Sequence, residues 1–508
     1  MTSPSLGIRF VRNVLWNFGG QLWSLGLAFF TTPYIVHKLG TDAYGLLMTV
    51  GVLTSYLGFM DLGLGSASVK YISEHAAREE WDQVVRIFWT SFFSYLLLGT
   101  LAAFILILLT PFFVYWWLRI PVTLQGPAVS IFHLSALGFL IGMLNNAPAS
   151  IPRALQRFDI VNRVSIAVGT TQTLLAMTLL ALGLSVREVV MGNLVVGILS
   201  LGLNTWVARF LLPSVSRPRW DTSIFRQLLR FGGFVTVSGL VGPLLVHLEK
   251  VALASLVSAS AVAYYAVSYN VATKLWIFAG TFSAVLFPLF SSFHGVGQRD
   301  VNVDVNLRVI RCIAIFVTVP ALFFVVFGRE FLQLWMGPEF ARESTGALRV
   351  LAVAMVVNSI AWSPYALIQA SGRPDIPAKF HTVELLIHLP LTWWIVRSWG
   401  VTGAAWAWFI RVSMGTAWVY FVSARLFQMK WRQWLQEVLN PALGVLVIGA
   451  TIIGLLRISL YNHMSPEAVL WIFGGGFLTL AALSIARWGL RREELHLLVR
   501  ALRGSAEG

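Results

Sequence analysis

Some fourteen stretches, each long and apolar enough to cross a bilayer, follow one another along this chain with little else between them. A spanning helix needs ~20 apolar residues, and in hydrocarbon only a helix or a closed barrel satisfies every backbone polar group. The stretches lie near Asn13–His37, Tyr44–Gly65, Ile87–Leu109, Ala128–Asn146, Ile160–Leu182, Val189–Leu212, Phe231–Lys250, Ala261–Phe290, Val309–Phe327, Leu348–Ala370, Ile376–Val396, Val401–Leu426, Pro441–Ile458 and Ala468–Ala486. Hydrophobic residues make up 57% of the 508 and charged ones 12%, with a mean hydropathy of +0.75, which excludes a soluble domain and a disordered chain alike. The expected fold is all-α, a polytopic membrane protein of about 14 transmembrane helices. A cleaved leader is not expected, because the first apolar stretch is long and begins only after Arg12.

A net charge of +15 suggests nucleic acid until the basic residues are placed. With fourteen spans and the N-terminus inside, 26 Lys and Arg fall on the inner side and 9 on the outer. That asymmetry follows the positive-inside rule and puts both termini in the cytoplasm. The clusters Arg209–Arg230 and Arg487–Arg503 are then topology anchors and contacts to anionic lipid, with no nucleic-acid partner. Trp116-Trp117 and Trp393-Trp394 suit interfacial belts. The lone Cys312 forbids an intrachain disulfide.

The chain repeats itself at long range. Phe18-Gly19-Gly20 returns as Phe231-Gly232-Gly233, while Pro148 and Asp159 return as Pro364 and Asp375 at an equal offset of 216. The repeat implies two pseudo-symmetric six-helix lobes plus two C-terminal helices. The expected division is 1–212 for the first lobe, 213–230 for a cytoplasmic linker, 231–430 for the second lobe, 431–486 for the last two spans and 487–508 for a basic tail. Because six is even, both lobes share one orientation, and a substrate site is expected between them near the midplane.

Two charges interrupt the apolar pattern. Lys274 and Arg411 sit near the middle of the eighth and twelfth spans, where a charge costs a few kcal/mol or more unless it faces protein or water. Both could reach a central cavity of the second lobe. Two cations there point to an anionic cargo, or else each is paired with a carboxylate as structural glue.

The first span carries Asn13, Asn17, Gln21 and Ser24 at steps of four, four and three, which places them on one face of a helix. Such amides suit sugar hydroxyls and equally suit bonding between helices. The eleventh span presents His381, Glu384 and His388 on one face. One helix spreads these over ~10 Å, too far to close around a single ion, so no metal is expected. A proton relay and plain helix packing remain open.

Pro33-Tyr34-Ile35-Val36-His37-Lys38-Leu39-Gly40, then Ala43-Tyr44-Gly45 and Asp61-Leu62-Gly63-Leu64-Gly65, resemble motifs of the Wzx-type polysaccharide transporters. These flip lipid-linked oligosaccharides and belong to the superfamily that holds the multidrug-and-toxin exporters and the lipid II flippase. Glu249-Lys250 before Tyr264-Tyr265, and Ala370-Ser371-Gly372-Arg373, extend the likeness over nearly the whole chain, although Tyr264-Tyr265 lacks the usual preceding Gly and Glu249 stands where Asp is commoner. The resemblance implies a bacterial inner-membrane flippase, not an enzyme, that carries a polyprenyl-pyrophosphate oligosaccharide by alternating access. Arg411 would then clamp phosphate bidentately and Lys274 would act as a point charge. Asp61 would cap or gate a helix end, and Glu249 with Lys250 would close an external gate or snorkel at the interface. No cofactor is implied; a proton or sodium gradient or the membrane potential would drive the cycle. Besides the lipid-linked oligosaccharide and the bilayer, a polysaccharide polymerase and other assembly proteins are implied partners. The alternatives are a lipid II flippase, an exporter of the multidrug type, and a multi-pass glycosyltransferase or ligase. The last would need chemistry on an outer loop, the longest of which is expected at about Gly328–Ala347. The charged segment Ser66–Trp81 is expected as an amphipathic helix on the inner surface.

Overall fold

A computed structural model describes residue 23 and residues 25–212, 218–277, 279–280, 299–370 and 375–428. The described residues are helical almost throughout and contain no strand. In order they form α1 (25–39), α2 (Thr41–Tyr56), α3 (Leu64–Ala77), α4 (Trp81–Phe112), α5 (Val122–Ala154), α6 (Phe158–Ala181), α7 (Val186–Leu211), α8 (Thr222–Leu256), α9 (Ala259–Thr273), α10 (Arg299–Met336), α11 (Pro338–Ile360), α12 (Trp362–Ala370) and α13 (Asp375–Phe427). Seven helical segments among the described residues are long and apolar enough to cross a membrane: Thr41–Asp61, Trp81–Trp117, Val122–Ala154, Phe158–Ala181, Val186–Leu211, Asn306–Met336 and Pro338–Ile368. The thirteenth and fourteenth expected spans and the basic tail lie outside the described residues.

The chain divides into two compact units. Of the described residues, the first unit holds those up to His247 and Ala254–Ala263, and the second holds Leu248–Leu253 and those from Tyr264 onward.

In the first unit, buried residues of α3 (Leu64, Ala67, Ile72), α4 (Phe88, Tyr95), α5 (Met143, Ala147, Ile151) and α7 (Ala208) make one cluster with Leu228 of α8. Lipid tails are as apolar as Leu, so packing rather than water exclusion joins such helices, and small residues permit the closest approach. Around α3 that packing is reinforced by polar bonds: Ser68 Oγ lies 2.7 Å from Ser91 Oγ, and Ser73 Oγ donates to the Ala154 carbonyl at 2.8 Å. The segment expected as a surface helix is therefore clamped against α4 and α5 along its apolar face, and its charged face keeps Lys70 and Glu74 exposed 3.8 Å apart. Between α2 and α3 the chain passes through a 3₁₀ turn, Leu57–Asp61, then turns left-handed at Leu62 (φ 49°) and Gly63 (φ 70°). Two left-handed residues in succession close the expected span Tyr44–Gly65 a few residues early, and glycine makes the second one inexpensive.

Helix α8 starts at Thr222, inside the segment expected as a linker. Asp221 explains the early start: its Oδ1 accepts the amides of Ser223 at 2.9 Å and Ile224 at 3.3 Å, satisfying donors of the first turn. The Ser223 hydroxyl, also bonded to Asp221, holds this carboxyl below the ordinary Asp value. Arg86 lies 2.9 Å from Asp82 and 3.7 Å from Asp221, and Arg219 pairs with Asp82, so the entrance to α8 is fastened to α4.

In the second unit α10 packs on α11 and α11 on α13. The outer loop expected at about Gly328–Ala347 is not a loop. Helix α10 continues to Met336, one turn at Gly337 (φ 97°) reverses the chain, and Pro338 opens α11. Arg and Glu are good helix formers, and Glu330 is buried, so the charges that look like a loop signal are borne on helix. Helix α13 is two helices, 375–399 and 401–427, divided at Gly400, whose φ of 54° and ψ of −130° no helix contains. The halves fold back on each other: Phe380 stacks on Trp418, Glu384 meets Arg411, and Gly403 abuts Ile395.

A Cβ at Gly403 would lie 2.6 Å from the Ile395 carbonyl oxygen, which has nowhere to move, whereas one at Gly142 in α5 meets nothing within 4 Å. Gly403→Val is expected to lower stability by ~1–3 kcal/mol through overpacking. Gly142→Ala is expected to be neutral or to stabilise by ~0.4–1 kcal/mol. Thermal unfolding of the two purified variants in detergent checks the contrast.

Candidate functional site

The first half of α13 carries a repeat of ionisable groups at steps of three and four, and helical geometry aims them at the second half and at α8. Glu384 is 3% exposed and shared. Its Oε2 lies 2.9 Å from His381 Nδ1, and its Oε1 accepts from Arg411 at 3.2 Å. One turn further on, His388 is also buried, with Nε2 3.0 Å from Oε1 of Glu249 on α8 and Thr392 Oγ1 3.2 Å from Nδ1.

Aromatic rings frame these charges. Arg411 lies over the Trp408 ring at 5.4 Å and Lys250 over the Tyr269 ring at 5.0 Å, both within cation–π range. Tyr265 stacks on Tyr269 at 5.9 Å, Tyr269 meets the edge of Trp408 at 6.0 Å, and Trp276 lies 6.3 Å from Trp408 and 6.1 Å from Trp362. Asn358 ties the far side together: its Oδ1 accepts the indole N–H of Trp276 at 3.0 Å and of Trp362 at 3.3 Å.

A pocket of about 420 Å³ opens beside this frame, walled by α11, α12 and the two halves of α13. Asn358, Trp362, Tyr365, His381, Glu384 and Arg411 line it, together with the stacked pair Phe380 and Trp418. Several buried polar atoms of the frame find no partner among the described residues: Glu249 Oε2, the hydroxyls of Tyr265 and Tyr269, Trp408 Nε1 and Arg411 Nε. Each such atom costs ~1–3 kcal/mol when left unsatisfied, so the frame carries polar groups that helix packing alone does not use.

The structure redistributes the residues singled out in the sequence. Arg411 reaches the pocket, but bridged to Glu384 rather than as a free cation. Lys274 does not line this pocket. It is exposed, at a turn just past α9, where bonds from Lys274 N to Val271 O and from Leu275 N to Ala272 O tighten the backbone into 3₁₀ geometry. Glu249 and Lys250 do not snorkel at an interface. They are 0% and 7% exposed, about two turns before α8 ends, and Glu249 bonds His388. Asp61 closes the 3₁₀ turn after α2, with Oδ2 3.4 Å from the Gly65 amide in the first turn of α3. Asn13, Asn17, Gln21 and Ser24 lie outside the described residues. Among the described residues no group of His, Cys, Asp and Glu could hold a metal ion.

The aromatic frame carries no charge or motif that marks it along the chain. Its signals were present as helical spacings: Tyr265 with Tyr269, Asn358 with Trp362, and Trp408 with Arg411. Tyr264, the other half of the tyrosine pair, turns elsewhere, with its hydroxyl on Glu339 and its ring edge-on to Phe340 at 5.1 Å.

A family model described as "Polysaccharide biosynthesis protein" matches residues 10–294. A putative O-antigen transporter of Shigella flexneri is 24% identical over 413 residues, 81% of this chain and 97% of that protein. The uncharacterized membrane protein EpsK of Bacillus subtilis (strain 168) is 21% identical over 364 residues, 70% of this chain and 71% of that one. Among solved structures, the lipid II flippase MurJ in an inward closed conformation superposes with a TM-score of 0.71 at 12% identity, covering 93% of this chain and 97% of that one. An inward-facing multidrug resistance MATE family transporter of the MOP superfamily gives 0.69 at 13% identity, covering 81% and 96%. These two likenesses concern the fold, whereas the family model spans more than half of the sequence: the chain belongs to the polysaccharide biosynthesis protein family, as a multi-span membrane protein.

Proposed function

We propose that this protein flips a polyprenyl-pyrophosphate-linked oligosaccharide from the cytoplasmic to the outer leaflet of the bacterial inner membrane, for surface polysaccharide biosynthesis. The observation that carries the reading is the pocket of charged and hydrogen-bonding groups built within helices of an otherwise apolar chain. A sugar hydroxyl stripped of partners costs ~2–7 kcal/mol in hydrocarbon, so an oligosaccharide cannot cross unaided, whereas its prenyl tail can remain in lipid. A polar pocket removes that barrier without covalent chemistry; transport, not catalysis, is what the geometry performs. The family match and the likeness to a putative O-antigen transporter support the same cargo class.

Alternating access needs joints, and the helix breaks at Leu62–Gly63, Lys274–Leu275 and Gly400 supply them in this reading. Both termini face the cytoplasm, as the basic-residue asymmetry implies. A proton or sodium gradient or the membrane potential would supply the energy in this reading. A polymerase would receive the flipped product.

In proteoliposomes with lipid-linked oligosaccharide on one leaflet, the wild-type protein is expected to bring the glycan within reach of an added glycosidase on the other. Arg411→Ala is expected to slow this at least tenfold at equal protein level. No acceleration by the wild type over empty vesicles sinks the flippase reading, and equal acceleration of lipid II alone reassigns the cargo.

Stability separates a cargo contact from structural glue. Breaking a buried ion pair by removing one partner costs ~3–5 kcal/mol, whereas replacing both partners is close to neutral. Arg411→Met and Glu384→Gln are each expected to lower the thermal midpoint, and the double variant to recover it while translocation stays lost. If translocation returns with stability, Arg411 serves only to hold the helices together.

A further inference from the structure

Resting on that reading, we propose that the pocket between α11, α12 and α13 is a glycan subsite: it takes uncharged sugar rings of the cargo and leaves the diphosphate outside. Charge is the first argument. Arg411 enters the pocket already bridged to Glu384 at 3.2 Å, so a dianionic diphosphate approaching the guanidinium also meets a carboxylate. A sugar ring meets an acceptor and a donor side by side, which is what vicinal hydroxyls require.

The aromatic wall is the second argument. Phe380 and Trp418 stack at 4.2 Å with an interplanar angle of 15°, and both face the pocket. Such a pair is rigid, and it gives the pocket an uncharged aromatic wall against which the C–H groups of a sugar can pack. Trp362 adds a third ring, held by its bond to Asn358.

Asn358 supplies the third argument. Two indole N–H groups, which can only donate, both point at one end of its side chain, and that fixes this end as the carbonyl oxygen. The NH₂ end, on a residue that lines the pocket, is thereby a positioned donor. The Arg411 guanidinium, whose Nη1 is bridged to Glu384, is a second donor group on the lining. Donors, acceptors and stacked rings around about 420 Å³ form a neutral recognition surface of ordinary ligand-pocket size.

The test is calorimetric binding to the purified full chain in lipid nanodiscs. The probes are the free glycan released by mild acid from the lipid-linked oligosaccharides of the cell that makes this protein, and inorganic pyrophosphate. Saturable glycan binding that excess pyrophosphate does not displace is expected, weakened tenfold or more by Trp362→Leu. Asn358→Asp keeps the acceptor for both indoles and removes the donor, and is expected to weaken glycan binding if Trp362→Leu fails to fold. Displacement by pyrophosphate, absence of glycan binding to a preparation that translocates lipid-linked oligosaccharide, or unchanged affinity in both variants overturns the subsite. A preparation that translocates no lipid-linked cargo overturns the flippase reading itself, and the two failures are thereby told apart.

Discussion

Glu384 is the point on which the second unit turns. A carboxylate buried among apolar helices is tolerable only when its charge is met, and here a guanidinium meets it from one side and an imidazole from the other. The two bonds fix the side chain that faces the pocket, and the one to Arg411 also ties the two halves of α13 together. They also oblige Arg411 to lie over Trp408, which brings the aromatic frame of Tyr269 and Trp276 into place. The pocket and the fold-back of α13 thus share one acid, which acts beside the Gly400 break and the Phe380–Trp418 stack.

The second acid, Glu249, follows the same rule with a different partner. His388 answers it, and a free carboxylate oxygen is left facing a buried surround that includes two tyrosine hydroxyls without partners. Counted together, Glu249 and Glu384 balance Lys250 and Arg411, with two imidazoles between. An interior that looks cationic when only the interruptions of hydropathy are read is therefore close to neutral, and that difference moves the reading of the pocket from phosphate to sugar.

Helices were legible because hydropathy reports them directly, and the all-α architecture followed. The likeness in Asp61–Gly65 and Glu249-Lys250 pointed to the family that the match over residues 10–294 then showed. What the sequence hid was pairing. Glu249 and His388 stand 139 residues apart, and no local pattern couples them. The charges after Gly328 looked like a loop because hydropathy cannot distinguish a helix that leaves the hydrocarbon from a connection that reverses in it. Lys274 looked like a mid-helix cation because a change from α to 3₁₀ bonding carries no compositional mark in Val271–Leu275.

The single-residue break at Gly400 makes α13 a hairpin with two stiff arms. Glu384 and Arg411 grip each other roughly 16 to 24 Å down those arms at 1.5 Å per residue, far from the tip. A fastener placed so far from its pivot has a long lever: a few degrees of rotation at Gly400 parts the two side chains by more than a hydrogen bond can stretch. Small rotations at the tip are therefore opposed strongly, by this pair and by the stack of Phe380 on Trp418 further down the same arms.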